Sequence, residues 1–85
     1  MGQRAICKAF GNEERLRMIL CLSRPQSVSE LIGHCPRLSQ SAVSQHLKIL
    51  REARVVSSHR EGKQVVYRIR DKKAAGIAKL LLHYK

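Results

Sequence analysis

Tryptophan is absent from the 85 residues, and Phe10, Tyr67 and Tyr84 are the only aromatic side chains. Proteins that grip single-stranded nucleic acid stack bases on exposed aromatic faces, so this chain is poorly equipped for that task or for RNA loops. Acidic residues are scarce too, six against seventeen Lys and Arg. None forms a recognisable acid/base pair, and so short a chain leaves little room for a substrate pocket; no enzyme and no cofactor are expected. The three cysteines, Cys7, Cys21 and Cys35, are odd in number and include no C-x-x-C pair. Their spacing indicates neither a disulfide framework nor a zinc knuckle. No apolar run reaches the roughly 18 residues that span a bilayer, and the N-terminus lacks a signal-peptide core, so a cytoplasmic protein without a membrane partner is expected.

What is present in excess is positive charge, +11 in total. It is unevenly placed. Residues 1–36 carry five basic and three acidic side chains, whereas residues 37–85 carry twelve and three. A positive field concentrated in one half suits a polyanion, because each neutralised phosphate releases a counterion. Nucleic acid is the first reading and an anionic membrane the competitor. A hydrophobic fraction of 44% and no low-complexity tract indicate one folded domain over residues 1–85.

Residues 4–10 carry Ala5, Ile6, Ala9 and Phe10, enough for one or two helical turns stopped at Gly11. Asn12 is a candidate N-cap, with Glu13 and Glu14 in the first turn of the next helix. There Leu16, Ile19 and Leu20 make the apolar stripe, Arg15 and Arg17 fall off it, and Pro25 ends the helix near Leu22 or Ser23. Ser27 and Glu30 form a capping box, with Val28, Leu31 and Ile32 as the apolar face before Gly33 and Pro36. Ser39 then caps a longer helix over Gln40–Ala53, with Val43, Leu47 and Leu50 inward. A short helix, a turn and a longer helix make a helix-turn-helix. Period-two alternation follows, from Val55 and Val56 through Glu61-Gly62-Lys63 to Gln64–Arg70, and reads as a hairpin. Asp71 is a candidate N-cap for a final helix with Ala74, Ile77, Ala78 and Leu81. The fold expected is mainly α with a small β-hairpin, a winged helix-turn-helix.

With Val43, Leu47 and Leu50 inward, the outer face of the 39–53 helix presents Gln40, Ser41, Ser44, Gln45 and Lys48, with Ser39 at its start and His46 beside it. Amide, hydroxyl and ammonium groups can address base edges and phosphates in a major groove, where carboxylates would be repelled. Glu52 comes only at the far end. His46 is open to two readings, a DNA contact or a ring packed on the preceding helix. His59, Arg60 and Lys63 are the candidate wing contacts to phosphate or minor groove.

Three runs carry a resemblance. Residues 14–20, Glu-Arg-Leu-Arg-Met-Ile-Leu, residues 38–53 around Ser39-Gln40-Ser41-Ala42-Val43-Ser44-Gln45-His46-Leu47, and residues 60–67 of the hairpin resemble the ArsR-type (ArsR/SmtB) bacterial regulators. The resemblance implies a homodimer, joined through the first and last helices, that binds an inverted-repeat operator in double-stranded DNA and usually represses. Ile6 and the Ile77–Leu81 face fit such a dimer. The sequence also departs from the family. Ser27-Val28-Ser29 stands where arsenic-type sensors carry C-x-C, and of the zinc-type ligands only Asp71 and His83 have counterparts, so no metal site is expected. Arg54 stands where the family usually has Gly, and a left-handed helix end there costs about 1 kcal/mol. Some members of the family respond to oxidants through two cysteines; Cys7 and Cys21 are the candidates here, giving a thiol-switched sensor as one alternative. An architectural or plasmid-segregation protein coating repeated sites is another.

Overall fold

The computed structural model describes residues 3–84. In chain order the elements are α1 (Gln3–Phe10), α2 (Glu13–Cys21), β1 (Gln26–Ser27), α3 (Val28–His34), α4 (Gln40–Glu52), β2 (Val56–Glu61), β3 (Gln64–Ile69) and α5 (Ala74–Leu82). The strands form an antiparallel sheet in the order β1-β3-β2. α5 and α1 pack on α2, α1 also reaches α4, and α3 joins α4 to the sheet.

The polar punctuation acts as the sequence suggests. Asn12 Oδ1 accepts the Arg15 N–H at 3.1 Å and starts α2. Ser27 Oγ accepts the Glu30 N–H at 3.1 Å while Glu30 Oε1 accepts the Ser27 N–H at 2.8 Å, a complete capping box. The main-chain bond from Ser27, followed by the Ser27 side chain, holds the Glu30 carboxyl below its ordinary range. Gly11 is needed for a different reason than a left-handed stop. A Cβ there would lie 2.9 Å from the Cys7 carbonyl oxygen, so any side chain would push α1 away from the α1–α2 corner. In the hairpin, Glu61 pairs with Gln64 across a two-residue turn, and Gly62 takes φ 61° while Lys63 does not turn positive. That pattern fits a type II′ turn, with Gly at the first central position.

The core is built from Met18, Ile19, Leu22, Leu31, Val43, Leu47, Leu50, Val55 and Val56, all fully buried. The inward assignment of Val43, Leu47 and Leu50 holds, and Ile49 joins them. After α4 the chain turns through Arg54, which takes φ 61°. The Val55 N–H reaches the Leu50 carbonyl at 3.1 Å and the Arg54 N–H reaches Arg51 at 3.0 Å. These are the two bonds of a Schellman ending, and buried Val55 and Leu50 supply its apolar contact. The corner keeps the geometry that Gly favours although the residue is Arg.

Three expectations are corrected. The last helix does not start at Asp71: Asp71 Oδ1 accepts the Lys73 N–H at 3.0 Å, closing a local turn that delays the helix to Ala74. The hairpin is not a simple alternation, because Val66 and Tyr67 are both buried. β3 is the central strand of three, and two-residue β1 (Gln26 opposite Tyr67, Ser27 opposite Val66) is too short to announce itself by periodicity. Arg15 does not lie off the buried stripe; it is 8% exposed and packed inside.

Candidate nucleic-acid interface

Ser39 adopts extended backbone (φ −70°, ψ 162°), and its Oγ accepts the Ala42 N–H at 3.1 Å, fixing where α4 begins. From that start, the 3.6-residue period sends Val43, Leu47, Ile49 and Leu50 into the core and leaves the opposite face to solvent. Gln40, Ser41, Ser44, Gln45 and Lys48 line one open, shallow depression on that face. All five are exposed, and no carboxylate is among them. The exposed Glu52 is at the other end of the helix.

Two residues named with these five stand apart. Ser39 is committed to its capping bond. His46 is half-buried, with Nδ1 3.1 Å from an Arg15 guanidinium nitrogen, on the flank of α4 that faces α2. The ring's polar partner is thus Arg15 of α2, two helices earlier in the chain, rather than a group on the helix that precedes α4. Burial, and then the Arg15 charge, hold its pKa below the ordinary value.

The wing residues are likewise divided. Register places Arg60 opposite Val65, whereas His59 is opposite Val66 and Glu61 opposite Gln64. Side chains alternate across a strand, so Arg60 projects from one face and His59 and Glu61 from the other. The His59 Nε2 lies 2.6 Å from Glu61 Oε2, so its outer ring nitrogen has a hydrogen-bond partner on its own strand. Arg60 and turn residue Lys63 are exposed. Exposed Arg68 falls on the His59 side of the sheet, and exposed Arg37 sits in the turn that precedes α4. Neither stood out in the sequence, because a single arginine on a strand or in a turn has no pattern of its own.

All three thiols are free. Cys7 is exposed on α1, while Cys21 and Cys35 are half-buried along one cleft with His34 and Leu38. Burial, then Cys21 and Glu14, push the Cys35 thiol above its ordinary range. Asp71 and His83 have local main-chain partners, the Lys73 N–H and the Lys79 carbonyl. Among the described residues no three His, Cys, Asp or Glu side chains are grouped to hold a metal ion.

A capped, acid-free helix face presented by a helix-turn-helix and followed by a basic hairpin can be set beside known proteins. Residues 12–58 match the sequence model of the bacterial regulatory proteins of the arsR family. The chain belongs to the ArsR family of bacterial regulatory proteins. Over 75 residues this ArsR-family chain is 40% identical to the HTH-type transcriptional repressor SmtB of Mycobacterium tuberculosis, a match covering 85% of this chain and 53% of that protein. Over 78 residues it is 40% identical to the transcriptional activator HlyU of Vibrio cholerae, covering 89% and 70%. The solved structure of the transcriptional repressor BigR from Xylella fastidiosa superposes with a TM-score of 0.81 at 30% identity, over 96% of this chain and 85% of that one. The chain thus spans about half the length of the mycobacterial relative. Its fold is the winged helix-turn-helix of these regulators, and the family consists of transcriptional regulators rather than enzymes. Among the described residues no helix is long and apolar enough to cross a membrane.

Proposed function

We propose that this ArsR-family chain folds as one winged helix-turn-helix unit, dimerises, and represses transcription in the cytoplasm by occupying an inverted-repeat operator. The observation that carries the reading is the outer face of α4, where Gln40, Ser41, Ser44, Gln45 and Lys48 stand together without a carboxylate on a helix anchored by four buried apolar residues. In a major groove, Gln pairs bidentately with adenine, Lys addresses guanine or phosphate, and Ser serves either edge. Arg60 and Lys63 on the wing would neutralise phosphates or enter the minor groove beside the site. Dimerisation draws on apolar surface left open on the first and last helices and just beyond the last: Ile6, Ile77, Leu80, Leu81 and, past α5, Tyr84 are all exposed. Repression is the choice in keeping with the names of SmtB and BigR.

Selection of bound duplexes from random DNA tests this reading, with footprinting of the site found. One protected inverted repeat overlapping a promoter is expected. Failure to enrich any sequence would overturn it, and a long protected array would replace it with a coating protein.

A further inference from the structure

Arg15 is a buried cation, and among the described residues no carboxylate lies within ion-pair distance of it. Its three bonds go elsewhere: Nε donates to the Ala9 carbonyl at 3.2 Å, one terminal nitrogen donates to the Lys8 carbonyl at 2.7 Å, and the other lies 3.1 Å from His46 Nδ1. Lys8 and Ala9 belong to the last turn of α1, whose carbonyls have no partner within the helix. A guanidinium at that end satisfies them and complements the negative pole of the helix. One side chain of α2 therefore ties the end of α1 to the middle of α4. Arginine can only donate, so His46 Nδ1 must be the acceptor and the ring must be the neutral tautomer with its proton on Nε2.

We infer that Arg15, acting through His46, is a positioning residue that sets the recognition helix against the rest of the fold, and that protonation of His46 releases it. This rests on the proposal that α4 reads DNA. A proton on Nδ1 would point an N–H at the guanidinium N–H and put two cations in contact, so the bond cannot survive it. The charged groups acting on the ring are Arg15 and, more weakly, Glu14, both on α2; α1 contributes only carbonyls to Arg15. The depressed pKa of His46 fixes the sign: the pin is complete above the ordinary histidine range and is lost as pH falls through the lower, folded value. The direction separates a pin from a mere charge. An added positive charge beside DNA strengthens binding to every sequence, whereas loss of a positioned helix weakens only the specific complex.

The test compares wild type with His46→Gln on the selected operator and on random duplex, between about pH 8 and about pH 5.5. Gln can accept from Arg15 but cannot titrate in this range, and the other histidines are common to both proteins. Acid should cost wild type at least about threefold more specific affinity than it costs the Gln variant, with no such gap on random duplex. Arg15→Lys, which keeps the charge but loses the fork, should reduce specific affinity about fivefold at the upper pH, the effect of one lost positioning hydrogen bond. Nitrogen NMR of the free protein should find Nδ1 of His46 unprotonated at neutral pH. Identical pH profiles for wild type and the Gln variant, or a proton on Nδ1, would overturn the pin. Absence of sequence-specific binding at any pH would instead overturn the DNA-reading proposal beneath it.

Discussion

Arg54 shows what a single residue can cost when the backbone around it is over-determined. Its φ of 61° lies in the left-handed region, where an L side chain costs about 1–2 kcal/mol. Two Schellman bonds and the burial of Leu50 and Val55 hold it there. Its own side chain is exposed, so removal sacrifices little packing. Arg54→Gly should therefore raise stability by up to about 1 kcal/mol, the relief of strain being partly offset by the greater freedom of glycine in the unfolded chain. Thermal unfolding in the absence of DNA measures this, and an unchanged or lower midpoint would contradict it. Gln45 sits at the opposite extreme, exposed and without a role in the fold. Gln45→Ala should leave the melting curve intact yet cost about 1–3 kcal/mol on the operator and much less on random duplex. Equal losses on both would make Gln45 a backbone contact.

Among the elements, legibility followed the length of the pattern. α4 could be read almost to its ends because thirteen residues hold an uninterrupted period and Ser39 marks its start. The capping box of α3 was equally visible, since Ser27 and Glu30 are three residues apart in the chain and in contact in the fold. β1 was not, because two residues have no period; their strand character comes from pairing with Tyr67 and Val66, forty residues away. Arg15 was misread for a related reason. A charged residue next to the apolar stripe is normally solvated, and only the close approach of α1 and α4 supplies the carbonyls and ring that make its burial tolerable. The wing was legible as a hairpin, but the division of its charges needed the register. That division is testable: Arg60→Ala and Lys63→Ala should each lower the slope of log affinity against log salt by about one, whereas His59→Ala should leave it nearly unchanged. His59 is already paired with Glu61, and a slope that falls for all three would show that DNA displaces that pair.

At the scale of the whole molecule, α5 has more apolar surface than one chain can use. Ala74 and Ala78 are buried in the core, while Ile77, Leu80 and Leu81 on the same helix are exposed, Leu80 by 74%. Of the large apolar side chains of α5 only Leu82 packs partly on the core, so the helix turns alanines inward and three large residues outward, the reverse of what an isolated domain needs. Ile6 on α1 and Tyr84 beyond α5 are exposed as well. A second copy of the chain would cover such surface symmetrically, each copy presenting the same patch. Two α4 helices carried by that dimer would then face successive major grooves, one helical turn of about 34 Å apart, which an inverted repeat requires. Leu80→Glu separates association from folding, because a side chain so exposed contributes little to the chain's own core. The variant should keep its helical content, sediment as a monomer where wild type sediments as a dimer, and bind the full operator no better than an isolated half-site. A variant that remained dimeric would place the interface on another surface. One that became monomeric yet held the operator with undiminished affinity would show that the two recognition helices act without coupling.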